Sequence, residues 1–143
     1  MSVIKLDQAV AIAQQTLAQG RALDSKPLSV VVLDPGGNFV AVHRADGSGI
    51  LRVDIAYGKA WGALGMGFGT RMLAERAAKL PHFVASLASV SQGRIVPVPG
   101  GVLIRSADGE LMGAVGVSGD TSDRDEECAV FGIQASGLVA DTG

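Results

Sequence analysis

Residues 113–119 read Gly113-Ala114-Val115-Gly116-Val117-Ser118-Gly119 and run straight into Asp120-Thr121-Ser122-Asp123-Arg124-Asp125-Glu126-Glu127. The first part has the apolar, β-branched character of a strand, and the second has the carboxylate density that favours a helix start. Three glycines in seven strand residues leave a stretch of backbone without side-chain cover. That pattern implies that another backbone, or a ligand, comes close against the strand.

Outward from this stretch, Glu110 to Ser118 forms the complete strand. Ala107-Asp108-Gly109 supplies a hairpin turn, Val96 to Ile104 the preceding strand, and Asp123 to Val139 the closing helix. Near the start of the chain, Leu28 to Leu33 reads as a buried strand, Asp34-Pro35-Gly36-Gly37-Asn38 as a tight turn and Phe39 to Arg44 as the hairpin partner. Asp7 is the expected N-cap of an amphipathic helix carrying Ala9, Val10, Ala13 and Leu17 on its apolar side and ending between Gly20 and Asp24. Helical patterns also cover Val53 to Leu64 and Thr70 to Lys79, and a short one follows Pro81. The first of these is rich in small residues: Ala56, Gly58, Ala60, Gly62 and Ala63. Glycine inside a helix costs about 1 kcal/mol relative to alanine, so close packing of this helix on a sheet or on another subunit has to compensate. The order of elements predicts an α+β fold in which an antiparallel sheet carries helices on its faces, as a single domain over residues 1–143.

Composition narrows the function. The apolar content is 48% and the formal charge is -2, with Lys and Arg scattered along the chain. Such a distribution excludes a nucleic-acid footprint and a polybasic membrane patch. Apolar runs break well before the roughly 18 residues a membrane helix needs, and no basic region precedes an apolar core at the N-terminus, so a soluble cytoplasmic protein is expected. The lone Cys128 makes no intrachain disulfide and reads as a small buried hydrophobe. Gly113, Gly116 and Gly119 lack the G-x-G-x-x-G order and the terminal Lys-Ser/Thr of nucleotide-binding loops.

Lys59 is the first candidate for chemistry. It lies between Gly58 and Ala60 in the small-residue helix, where burial would lower its pKa towards a useful acid or base. The alternative is a lysine that snorkels to water or pairs with Asp34 or Asp54. Arg44 is a candidate carboxylate binder through its planar fork, or else the partner of Asp46 or of the last helix. The acidic cluster departs from the calcium-loop pattern, and Asp123 with Glu126 three positions on reads as a capping arrangement rather than a metal site. Asp125 or Glu126 could still project towards the glycine strand and share a cleft with Lys59, giving an acid and a base with separated pKa values. Ser118 is an attractive hydroxyl, but neither histidine is placed by sequence as its base.

Asp34-Pro35-Gly36-Gly37, Arg44-Ala45-Asp46-Gly47, Ala56-Tyr57-Gly58-Lys59-Ala60, Pro99-Gly100-Gly101-Val102, the stretch 113–119 and Asp125-Glu126 together resemble, in order over nearly the whole chain, the GlcG/HbpS-like family, which includes the C-terminal domain of PduO-type proteins. The resemblance implies a profilin-like layout with a five-stranded antiparallel sheet, assembled into homo-oligomers. It also brings in haem, which some relatives bind. Iron ligation asks for His, Cys, Met or Tyr at a pocket wall. The two histidines are His43 and His82. His43 and Arg44 point to opposite faces of their strand, His82 sits at a helix start, and the segment from Asp7 to Asp24, where relatives can carry a ligating histidine, has none. No cofactor is therefore expected, with haem as the one candidate.

Two classes of function follow. In the first, a pocket bounded by Gly100, Gly101, Gly116, Ser118 and the Lys59 helix, with Arg44 and His82 as further ligand-binding residues, holds a small catabolic metabolite or a haem-like ring. In the second, the same cleft carries out cofactor-independent hydrolysis, isomerisation or elimination on a small carboxylate or oxygenated catabolite, with Lys59, Asp125 and Glu126 as the proton carriers.

Overall fold

The computed structural model describes residues 3–143. In chain order its elements are α1 (Leu6–Ala22), β1 (Ser29–Leu33), β2 (Phe39–Arg44), α2 (Arg52–Met66), α3 (Thr70–Lys79), α4 (Pro81–Val90), β3 (Gly101–Arg105), β4 (Leu111–Ser118), α5 (Ser122–Ala135) and β5 (Val139–Asp141). The strands form one five-stranded sheet in the order β2-β1-β4-β3-β5, antiparallel at every pairing. This is the α+β architecture the sequence predicts.

Alternation along the strands sorts the core into two layers. Val30, Val32, Val102, Ile104, Val115 and Val117 face α1 and α5, where they meet Ile12, Ala13, Cys128, Ala129 and Ile133. On the opposite face Val31, Leu33, Leu103 and Ala114 meet Ala56, Ala60 and Ala63 of α2. A smaller cluster of Leu73, Val84 and Leu87 joins α3 to α4.

What comes against the glycine strand is α2. Gly116 stands opposite both Val31 of β1 and Gly101 of β3. A Cβ on Gly116 would run into the Ala56 carbonyl and would lie 2.9 Å from the Ala60 nitrogen, and one on Gly101 would run into the Lys59 carbonyl. Helix backbone thus rests on sheet backbone, and the small residues of α2 are the matching half of that approach. Val96 likewise fills the notch at Gly58, where a Cβ would come within 2.6 Å of its Cγ2.

The first hairpin turn forms as predicted. Asp34 Oδ1 accepts from the N–H groups of Gly36 (2.9 Å) and Asn38 (3.0 Å), and Gly37 adopts φ +83°. Four local expectations are corrected. The first helix begins at Leu6 with Lys5 as N-cap rather than Asp7, because Gln8 reaches back and its Oε1 accepts from the Lys5 N–H at 2.9 Å. The strand expected from Val96 begins only at Gly101: Pro97 and Pro99 have no N–H for a ladder, and the Val96 N–H instead donates to the Gly58 carbonyl. The last helix stops at Ala135, since Gly137 at φ +78° closes its C-terminus and Leu138 N–H returns to the Ile133 carbonyl. The residues beyond it add a fifth strand to β3. Finally, the N-cap of α5 is Thr121, whose Oγ1 accepts from the Arg124 N–H at 3.2 Å, and not Asp123.

Two outcomes are expected from this packing. Gly116→Ala forces α2 off the sheet and lowers stability by about 2–3 kcal/mol in urea unfolding. Gly49→Ala, whose Cβ would meet only Arg52 Cγ at 3.8 Å, shifts it by less than about 0.5 kcal/mol. Cys128 is fully buried and desolvation pushes its thiol up to about 11. Its thiol is therefore expected to stay unlabelled by iodoacetamide in the native protein at pH 8 and to react once the chain is unfolded.

Candidate functional site

Lys59 occupies the sheet-facing side of α2, where the close approach to β3 and β4 leaves its side chain no route to water. Its ammonium donates to Asp125 Oδ2 at 3.1 Å and to the Val117 carbonyl at 2.9 Å. The two side chains are 2% and 1% exposed, so this is a fully buried ion pair. The second carboxylate oxygen of Asp125 accepts from the Asp120 N–H at 2.9 Å. Gly100, at φ +121°, closes over the ammonium: a Cβ there would lie 2.9 Å from Lys59 Nζ. Burial pulls Lys59 below its ordinary pKa against the raising influence of Asp125, and the nearby Arg52 pulls in the same direction as burial. Burial pushes Asp125 above its ordinary value against the lowering influence of Lys59. Each partner is drawn towards neutrality by desolvation and held ionised by the other.

The structure brings Lys59 together with Asp125, and with the backbone of Gly100, Gly101 and Gly116. The space between those glycines and the helix is occupied by α2 itself. Ser118 adjoins them at the end of β4, buried, and accepts from Arg52 Nη1 at 3.2 Å. Opposite it on β1, Ser29 Oγ shares a 2.8 Å hydrogen bond with Ser48 Oγ. Glu126 points elsewhere: its carboxylate accepts from Arg71 Nε at 2.9 and 3.0 Å, and Asp123 accepts from Arg71 Nη2 at 2.6 Å. The expected Asp123–Glu126 capping arrangement is in fact a clamp on α3. The partner of Lys59 is Asp125, neither Asp34 nor Asp54.

Arg44 lies in a different place. The end of β2, the end of α1 and the segment leading into β1 surround an open cleft of about 430 Å³, lined by Leu17, Leu28, Pro27, Ala45, Arg21, Lys26 and Arg44, with Ser25 and Asp46 at its rim. Among the described residues Arg44 makes no ion pair with Asp46 or with α5. The register puts His43 opposite Val30 and Arg44 opposite Ser29, so the two do face opposite sides of β2. His82 is exposed at the start of α4, which packs on α3. None of the residues lining the cleft is His, Cys, Met or Tyr, so they do not form an iron-ligating wall for haem.

Sequence reasoning missed the convergence of Arg21 and Lys26 on Arg44, which no local spacing announces. It also missed Asp120, which accepts from the Lys26 N–H at 2.8 Å and pins the segment under the cleft. The N–H groups of Lys26 and Thr121 hold Asp120 below the usual carboxylate value.

Lys59→Met leaves a buried carboxylate alone and is expected to lower stability by about 3–5 kcal/mol at neutral pH, whereas Lys59→Met with Asp125→Leu recovers most of it. The pH dependence follows from the raised carboxyl of Asp125, whose ordinary value is 3.8. Below that value both states are protonated. As pH climbs through and past it the unfolded chain releases its proton first, so the stability of the single variant falls until the folded group also ionises. Urea midpoints measured from pH 3 to 8 should show this slope in the single variant and not in the double.

Four similarities bear on identity. Over 125 aligned residues the chain is 31% identical to an uncharacterised 15.0 kDa protein of the dhaT–dhaS intergenic region of Citrobacter freundii, covering 87% of this chain and 86% of that one. The fold is similar to that of Klebsiella pneumoniae protein ORFY, with a TM-score of 0.86 at 26% identity over 96% of this chain and 92% of that one. It is also similar to that of PduOC in its haem complex, with a TM-score of 0.85 at 24% identity over 95% and 96%. A family model described as haem degrading protein HbpS-like matches residues 4–134. With that match, and with the motifs around Asp34, Lys59, Gly100 and Gly116 falling where the sheet and α2 meet, the chain belongs to the HbpS-like family.

Proposed function

We propose that this protein binds a small molecule, a haem-like ring or a small catabolic metabolite, in the open cleft between α1 and the end of β2. The observation that carries this reading is the cleft itself: about 430 Å³ of space lined by apolar Leu17, Pro27, Leu28 and Ala45 together with the cations Arg21, Lys26 and Arg44. An apolar hollow with a few convergent polar groups is the usual form of a ligand site. The haem complex of PduOC, a protein of the same fold, supports a tetrapyrrole as one ligand class. Assembly into a homo-oligomer belongs to the same proposal, and it is supported by apolar side chains left at the surface: Phe39 and Val42 on the edge strand β2, with Ile50 and Leu51 before α2. Among the described residues no helix is long and apolar enough to cross a membrane. The cytoplasm is the proposed location.

A second reading, cofactor-independent acid/base catalysis on a small carboxylate, has one observation in its favour. Desolvation brings the pKa values of Lys59 and Asp125 towards each other across a 3.1 Å contact, an arrangement suited to proton exchange. The binding reading is preferred because the ion pair is closed to solvent and the cleft is open.

Titration with hemin is expected to give a saturable Soret change at one ring per chain, and Pro27→Trp, which fills the cleft, is expected to weaken it at least about tenfold. Non-saturating uptake that is indifferent to Pro27→Trp would count against the site.

A further inference from the structure

We infer that the cleft selects a carboxylate-bearing ligand, and that it holds a haem-like ring by its carboxylates and apolar body rather than by its iron. The inference rests on the binding reading above and specifies its ligand chemistry. Three cations from three separate segments line one hollow: Arg21 at the end of α1, Lys26 before β1 and Arg44 at the end of β2. Among the described residues none of their side chains makes a hydrogen bond or a close ion pair; Lys26 feels the nearby Asp120 carboxylate, whereas Arg21 and Arg44 have no acidic partner at ion-pair distance. This sets them apart from the engaged cations: Lys59 is held by Asp125, Arg71 by Asp123 and Glu126, Arg105 by Asp141, and Arg124 by Glu127. The lining carries one carboxylate, Asp46, against those three positive charges.

Guanidinium forks match carboxylates in shape and charge, and the apolar lining residues Leu17, Pro27 and Leu28 suit the body of such a ligand. The remaining polar atoms of the lining belong to Ser25 and Asp46, and neither is among the side chains that ordinarily ligate haem iron. The cleft is also fixed in shape. The Lys26 N–H is held by Asp120 at 2.8 Å, the Ser25 N–H by the Gly20 carbonyl at 2.9 Å, and the Leu23 carbonyl accepts from Arg124 Nη1 at 3.0 Å. The cations are therefore carried on an anchored rim, and a ligand meets them without first ordering the segment that bears Lys26.

The test titrates the full chain with three probes: hemin, metal-free protoporphyrin IX and protoporphyrin IX dimethyl ester. The same titrations are run on Arg21→Gln/Arg44→Gln, a substitution of two exposed side chains whose folding is checked by its urea midpoint. Metal-free protoporphyrin is expected to bind within about threefold of hemin, whereas esterification, or the double substitution, should each weaken binding by about tenfold or more, the scale of a lost charge-assisted hydrogen bond. Equal binding of acid and ester, unchanged in the double variant, overturns the charge-based selection while leaving the binding reading standing. Hemin binding far tighter than the metal-free ring, with a Soret shift lost in His43→Ala, overturns the claim that iron is dispensable. Absence of saturable binding for all three probes removes the tetrapyrrole reading and this inference together.

Discussion

Direct contact of the α2 backbone with the backbone of β3 and β4 is the constraint on which the rest of the structure depends. It is possible only because Gly101 and Gly116 present no side chain and α2 presents Ala56 and Ala60 in return. At that distance a lysine on the sheet side of the helix cannot reach water, and among the described residues Lys59 is left with the Val117 carbonyl and a carboxylate as its hydrogen-bond partners. The carboxylate comes from the opposite layer. The chain turns at Gly119 from β4 into α5, so Asp125 on α5 meets Lys59 on α2 around the end of the sheet. The ion pair is thus a consequence of close packing, and it ties together two layers that the sheet would otherwise keep apart.

The carboxylates at the start of α5 divide their work among different parts of the fold. Asp120 holds the segment before β1 through the Lys26 N–H, Asp125 holds α2, Asp123 and Glu126 hold α3 through Arg71, and Glu127 pairs with Arg124 on its own helix. Their magnitudes differ. Exposed pairs such as Arg71–Asp123 contribute about 0–1 kcal/mol, whereas losing one partner of the enclosed pair leaves a charge with no solvent and costs several times more. A run of acids that reads as one feature in sequence is four attachments in space, only one of which carries a large energetic penalty when broken.

The parts of this fold that were legible in sequence are those whose cause is local. The turn at Asp34-Pro35-Gly36-Gly37-Asn38 is encoded by residues that hydrogen-bond one another, and the two halves of the α2–β4 contact each leave a compositional trace, small residues in one and glycines in the other. That the halves belong to each other is a tertiary fact, so the sequence left another backbone or a ligand open as the object facing the glycines. Residues 139–141 form a strand only because β3 offers an edge, and three residues carry no periodicity of their own. Asp123 and Glu126 fit a capping spacing, yet Arg71, 52 and 55 positions away, outcompetes the local hydrogen bonds. Asp125 was legible as a possible partner of Lys59, while Arg21 and Lys26 were silent because their meeting with Arg44 depends on where two hairpin-linked strands end.

The same geometry separates the part of the molecule that can change from the part that cannot. Every group around Lys59 is spoken for: the ammonium, both oxygens of Asp125 and the Ser118 hydroxyl have protein partners, and a side chain added at Gly100, Gly101 or Gly116 would collide with α2. Substitution there disturbs folding before it alters recognition. The cleft residues Arg21, Lys26, Arg44 and Asp46 are exposed and bear little of the packing, so their charge and shape can vary at small cost to stability. A scaffold built this way retains its glycine-on-helix core and its buried ion pair while the residues around the cleft are free to vary, which is why a fold shared at about a quarter sequence identity does not by itself fix the ligand.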